Sequence, residues 1–218
     1  MNYKYVVLDF GKVIAAPSSG DWDITPKFLE LIDINKINKE KWKELRAKYG
    51  SILSEKVTNL SEEYDMFLSF YKSMLSDFNI SEKVIKEIAY NRTYALEKYT
   101  LYPNIKNELE RLKEKYQLIL LTDNWPCVIN YLKKYDLFDF FEKIYVSSFY
   151  GVEKKDGKLF DFPIKDFNIK TGEALFIDDT ELNLDIGKEK GFDVMLMDRD
   201  KKIKKSKYRI LNNLEELI

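Results

Sequence analysis

At 218 residues, 45% hydrophobic and 15% aromatic, the chain can bury one large core, or a core plus a smaller inserted module, and two fully separate domains are not expected. Its 36 lysines and arginines nearly balance 37 acidic residues, so the net charge of −1 gives no single-sign field of the kind that nucleic acid or an anionic membrane requires. The absence of histidine and the single cysteine, Cys127, exclude histidine-based triads, imidazole zinc sites and an internal disulfide. Acid–base work falls to carboxylates, lysine or tyrosine.

The chain opens on Met-Asn-Tyr-Lys-Tyr with neither a long apolar leader nor a membrane-length apolar run, and a soluble, cytoplasmic protein is the expectation. Residues 5–8, Tyr-Val-Val-Leu, form a short apolar run ending at Asp9, which suits a doubly buried parallel strand. Residues 15–100 read as amphipathic helices at 26–32, 39–49, 61–77 and 81–99, with no strand among them. Strand-type runs return at 117–122, 143–147, 174–178 and 193–197. Helical periods lie between them at 104–116, 126–135 and 181–190, the last closing on Gly191. The basic run 201–207 reads as a solvated turn. This alternation predicts an α/β fold, a Rossmann-like doubly wound parallel sheet assembled from residues 1–14 and 101–218, with an all-helical insertion over 15–100.

In such sheets ligands sit at the carboxyl ends of the strands. The first strand end offers Asp9, Gly11 and Lys12, the second Thr122, Asp123 and Asn124. The loop after the third carries Gly151-Val-Glu-Lys-Lys-Asp-Gly157, and the fourth ends in Asp178 and Asp179. Adjacent carboxylates at a buried sheet edge cost energy without a cation. A hard dication such as magnesium prefers this kind of oxygen donor. A carboxylate that attacks phosphorus, with a lysine and a hydroxyl to bind the phosphoryl oxygens, would complete a phosphoryl-transfer site.

In this order the segments resemble the haloacid dehalogenase superfamily of hydrolases. Asp9-Phe-Gly-Lys-Val-Ile14 is similar to its first signature, Thr122 to its second and Gly151 to Phe160 to its third, with both prolines of that motif replaced. Phe176-Ile-Asp-Asp-Thr-Glu-Leu-Asn183 is similar to its fourth. The resemblance implies that Asp9 attacks the substrate and ligates Mg2+, and that Gly11 offers its carbonyl to the metal. By the same comparison Thr122 and its neighbours Asp123 and Asn124 hold the phosphoryl group, and Lys154 neutralises charge, with Lys155 as its rival. Asp178 and Asp179 complete the metal site, Asn183 supports their loop, and residues 15–100 form a helical cap. The activity implied is a magnesium-dependent phosphatase acting on a small phosphorylated metabolite, with no nucleic-acid or membrane partner; the sequence does not specify an oligomeric state.

Many phosphatases of this family carry a second aspartate two residues after the nucleophile, where this chain has Gly11. A positioned general acid is worth roughly 10² to 10⁴ in rate. Three explanations stay open: another acid serves, with Asp21 or Asp23 reaching in from the cap entrance; the substrate has a good leaving group, such as an acyl phosphate, phosphoanhydride or halide; or the protein is a weakly active or inactive phosphate-binding member of the fold. Dehalogenation of a 2-haloacid is the alternative reaction. The acidic pair Asp178 and Asp179 speaks against it, because the dehalogenases proper resemble Ser-Ser-Asn there and use no metal. Trp22, Trp125 and the histidine-less Cys127 read as packing residues, and Lys12 either binds anions or points outward.

Overall fold

The computed structural model describes residues 3–33 and 37–218. Six strands make a parallel sheet in the order β5 (Phe141–Val146), β4 (Gln117–Thr122), β1 (Tyr5–Leu8), β6 (Ala174–Asp178), β7 (Asp193–Met197) and β8 (Ile210–Leu211). β1 lies at the centre, Val7 standing opposite Ile119 on one side and Phe176 on the other. All four of its residues are buried, because alternate side chains enter different layers. Val6 and Leu8 join the cluster under α5 (Ile105–Lys113) and α6 (Cys127–Lys134), whereas Tyr5 and Val7 face Phe160 of α8 (Lys158–Phe167) and Leu184 of α9 (Glu181–Glu189). This is the doubly wound sheet predicted above.

Close packing fixes the second layer. A Cβ on Gly187 would lie 2.8 Å from the Phe176 ring, so only glycine lets α9 approach β6 this closely. Gly191, with φ +94°, ends that helical segment in the left-handed region where the sequence places a stop. The sequence gives no sign of α8, whose period is obscured by Pro163; Leu159, Phe160 and Pro163 nevertheless share its buried face.

Between the first strand and α5 the described residues form four α-helices, α1 (Pro26–Leu31), α2 (Lys39–Tyr49), α3 (Leu60–Met74) and α4 (Glu82–Tyr94). They share a separate apolar cluster around Phe28, Phe67, Phe70, Tyr71, Met74 and Ile88. The expectation that this stretch holds no strand is corrected. β2 (Ala15–Pro17) and β3 (Tyr99–Leu101) pair antiparallel, Ala15 opposite Leu101 and Pro17 opposite Tyr99, where the chain leaves the sheet and returns to it. Three residues per strand are too few to show a period in sequence. α4 stops at Tyr94 rather than running to residue 99 because the buried Lys98 ammonium folds back onto the carbonyls of Arg92 and Thr93, at 2.5 and 3.0 Å. No helix among the described residues is long and apolar enough to cross a membrane.

Candidate active site

The register of the sheet brings the polar strand ends together. Leu8 pairs with Leu120 and Ile177, so Asp9, Thr122 and Asp178 emerge side by side at one edge, and the Asp9 N–H donates to the Ile177 carbonyl at 3.0 Å. Carboxylate oxygens of Asp9, Asp178 and Asp179 lie within 4.8 Å of one another. Lys154 threads among them, only 1% exposed, its ammonium 2.9 Å from Asp9 Oδ1 and 2.5 Å from Asp178 Oδ2. Lys155 is exposed and pairs with Glu153, which resolves the rivalry in favour of Lys154 as the lysine at the cluster.

The loop carrying Lys154 is built to hold it there. Gly151 (φ +68°) turns the chain, Glu153 and Asp156 cap a short 3-10 turn reciprocally, and the Asp123 carboxylate accepts the Lys154 backbone N–H at 3.0 Å. Asp123, expected to meet substrate, thus has one oxygen anchoring the lysine loop. Asn124 is turned away likewise. Its side-chain carbonyl accepts from Tyr99 Oη (3.2 Å) and the Trp125 N–H (2.9 Å), and its own N–H donates to Ser147 Oγ at 3.1 Å. Thr122 ends β4 opposite Val146 and is buried.

Asp178 is fully buried and accepts four hydrogen bonds: from Lys154, from the Thr180 N–H at 2.8 Å and, to both oxygens, from Asn183 Nδ2 at 3.1 Å. Those donors fill the usual acceptor capacity of a carboxylate. Asp179 is less engaged, paired with Lys12 at 3.2 Å. Lys12 therefore points into the cluster rather than outward. Asp9 Oδ1 is buried with no hydrogen-bond donor, since the ion pair to Lys154 lacks hydrogen-bond angles.

Electrostatics follow from this crowding. Burial, with Asp178 and Asp179 nearby, pushes the Asp9 carboxyl up to about 7 against the pull of Lys154. Burial and Asp178 raise Asp179 in the same way, with Lys12 opposing. Burial works against the Lys154 charge, yet Asp178, Asp9 and Asp123 outweigh it and hold the ammonium well above its ordinary range. Three oxygen donors around one lysine, one of them a buried orphan, fit a hard dication.

At Gly11 the space is already taken. A Cβ there would sit 3.2 Å from Cζ2 of Trp22, whose indole also packs at 5.8 Å on Tyr99. The two acids flanking Trp22 are engaged elsewhere. Asp21 Oδ1 accepts the N–H groups of Asp23 (2.8 Å) and Ile24 (3.2 Å), and the Asp23 carboxylate pairs with Arg46 of α2.

A cleft of about 570 Å³ separates Arg46 and residues 50–55 from the loops after β4 and β5. The two sides also touch directly. Trp125 inserts among the helices, its ring 5.1 Å from Phe67 and its Nε1–H on the Leu53 carbonyl, and Glu63 of α3 accepts the Cys127 N–H at the start of α6, at 2.7 Å. The Arg92 guanidinium, fully buried, lies over the rings of Phe67 and Trp125. The sequence carries no local signal for these pairs, whose partners stand 25 to 72 positions apart; only the folded chain makes them neighbours.

Comparison with known proteins places the chain in a family. The model of the haloacid dehalogenase-like hydrolase family matches residues 30–197. D-Ribitol-5-phosphate phosphatase of Bacteroides thetaiotaomicron is 35% identical over 89 residues, covering 38% of this chain and 43% of that protein. Glyceraldehyde 3-phosphate phosphatase of Pyrococcus furiosus is 31% identical over 141 residues, covering 62% and 53% respectively. The chain thus spans about half the length of these curated relatives. Magnesium-bound YfnB, a hydrolase of Bacillus subtilis, superposes with a TM-score of 0.68 at 17% identity over 100% of this chain and 97% of that one. Dehalogenases share the fold as well, so the fold alone does not choose between the two reactions. With the family model spanning most of its length, the chain belongs to the haloacid dehalogenase-like hydrolases.

Proposed function

We propose that this hydrolase is a magnesium-dependent phosphatase that cleaves monoesters of small phosphorylated metabolites through an aspartyl-phosphate on Asp9. The observation that carries the reading is the constellation at the centre of the sheet: Asp9 beside a buried Lys154 and an acidic pair. A buried carboxylate paired only with Lys154 is placed to attack phosphorus. The acidic pair, for which dehalogenation has no use, favours phosphoryl transfer.

In the first step Asp9 forms a bond to phosphorus while the bond to the alcohol oxygen breaks and the released alkoxide takes up a proton. In the second, water attacks phosphorus, the aspartyl bond breaks and inorganic phosphate leaves. Lys154 holds positive charge beside the transferring oxygens throughout, and Thr122 offers a hydroxyl to them. A bound Mg2+ would neutralise phosphoryl charge as a Lewis acid, held by Asp9, the Gly11 carbonyl, Asp179 and an Asp178 oxygen that otherwise accepts from Lys154 or Asn183. Asn183 keeps Asp178 oriented. Helices α1–α4 serve as the cap, and the alcohol part of the substrate occupies the cleft beneath Arg46. Of the two cap acids, Asp21 holds the turn and Asp23 pairs with Arg46, so the proton for the leaving oxygen comes from solvent.

The relatives' substrates make D-ribitol 5-phosphate and glyceraldehyde 3-phosphate the first compounds to test. Phosphate release from a panel of sugar, polyol, aryl and acyl phosphates, with magnesium or with chelator, is compared for the parent and Asp9→Asn. Metal-dependent release that Asp9→Asn abolishes is expected; no release from any phosphate, or halide release from a 2-haloacid without metal, overturns the proposal.

A further inference from the structure

The turn that follows the nucleophile is conformationally demanding. Phe10 O accepts both the Ile14 and the Ala15 N–H, Lys12 N–H donates to Ala15 O at 2.7 Å, and Lys12 itself lies at φ +52°. A lysine in the left-handed region persists only where its surroundings over-determine it. The anchor comes from the far end of the chain. Arg199, two residues past β7, donates from Nε and Nη2 to the Val13 carbonyl at 3.0 and 2.8 Å. Its Nη1 and Nη2 make a bidentate pair with Glu108 of α5 at 2.9 and 2.7 Å. Both side chains are only 4% exposed, and Glu108 also accepts the Leu214 N–H. The guanidinium lies 5.2 Å from the Tyr102 ring, and the Tyr102 N–H donates to Ile14 O, so one side chain grips the segment leaving the sheet and adjoins the one returning.

We propose that Arg199, oriented by Glu108, is a positioning residue that sets the turn 10–15 and through it the placement of Asp9 and the Gly11 carbonyl. This rests on reading Asp9 as the nucleophile. A buried pair of this type is weak evidence for stability as such, since a charge-free replacement is often neutral, whereas removing one partner alone strands a buried charge. That asymmetry separates positioning from stability. A lysine could keep the charge but not the planar fork that serves Val13 and Glu108 together.

The test compares the parent with Arg199→Met, Arg199→Lys and the double variant Arg199→Met/Glu108→Gln, in which glutamine keeps an acceptor for Leu214. Three quantities are measured: thermal midpoint, hydrogen exchange of the amides of Lys12, Ile14 and Ala15 against those of β4, and kcat and KM. Expected is a double variant that regains most of the midpoint lost in Arg199→Met, yet exchanges at least tenfold faster in 10–15 but not in β4. Its kcat should be at least tenfold lower with KM within twofold, and Arg199→Lys should fall between. Parent-like exchange and kcat in the double variant overturn the proposal, as does acceleration that is uniform across the sheet. Should the double variant not fold, Arg199→Lys decides by the same exchange comparison. A parent without phosphatase activity would sink the functional reading alone, and the exchange measurement still decides the role of Arg199.

Discussion

Installing the aspartate that this chain lacks is the most searching perturbation of the site. Gly11→Asp by itself should not create a fully working general acid. Its Cβ would approach Trp22 Cζ2 at 3.2 Å and Cη2 at 3.4 Å, so the indole must give by a few tenths of an ångström. Overpacking of this kind costs about 1 to 3 kcal/mol. A positioned acid is worth roughly 10² to 10⁴, or about 3 to 5 kcal/mol at 1.36 kcal/mol per decade. Fitting the side chain against the indole offsets part of that benefit, so Gly11→Asp alone should gain less alkyl-phosphate turnover than the same substitution made beside Trp22→Ala. Adding Trp22→Ala removes the obstruction, so Gly11→Asp/Trp22→Ala should hydrolyse alkyl phosphates at least tenfold faster than Trp22→Ala alone. The gain should vanish for an aryl phosphate such as 4-nitrophenyl phosphate, whose leaving group needs no proton. The assay is kcat across a series of leaving-group pKa values with magnesium saturating. A rise from Gly11→Asp alone as large as that seen beside Trp22→Ala, or a gain in the double variant that is equal for good and poor leaving groups, would refute the reasoning.

Further outcomes follow from the same site. Lys154→Met leaves three carboxylates around an uncompensated point and should cost about 3 to 5 kcal/mol in metal-free protein; magnesium should then raise the thermal midpoint of the variant more than that of the parent, and equal shifts would argue against a shared cation site. Asp9 binds its proton more tightly folded than unfolded, its carboxyl moving from 3.8 up to about 7, so the folded state holds more protons in that window and metal-free stability should fall as pH rises from about 4 to about 7. Melting in chelator at pH 5 and pH 7.5 checks the sign, and a flat profile counts against the burial argument. Glu63→Ala removes the acceptor of the Cys127 N–H from across the cleft and should lower stability by about 1 to 3 kcal/mol in denaturant titrations. No measurable loss would mean that water replaces it.

How far the sequence was legible depends on range. Asp9, Thr122 and the Asp178–Asp179 pair could be placed because each stands at a strand end, and strand ends announce themselves by an apolar run meeting a polar residue; Lys154, in a loop beyond β5, was placed only by its motif. The parallel sheet and its two helical layers follow from the same periodicity. Asp123 and Asn124 were legible as neighbours of the site but not in orientation: the partners that turn them, Lys154 and Tyr99, come from distant segments. The short ribbon of β2 and β3 fell below the length at which alternation can be seen, and α8 hid behind Pro163. Trp22 lying over Gly11 has no sequence signature, because two residues of unremarkable spacing meet only when the intervening chain doubles back.

That ribbon has a consequence for how the two parts of the molecule relate. Because Ala15 and Leu101 stand opposite each other in the ribbon, the sheet experiences everything from residue 18 to residue 98 as the tip of a hairpin. The entropy of closing a loop grows only with the logarithm of its length, so lengthening or exchanging that tip is cheap for the rest of the fold. Replacing residues 19–97 by a two-residue type I′ turn, closing on the Ser18–Lys98 hydrogen bond, would leave the strand register formally intact. Lost with them would be Trp22 beside Gly11 and the contacts of Trp125 and the Cys127 N–H with the helices. The architecture is thus a socket with a plug, joined by the ribbon and by these contacts.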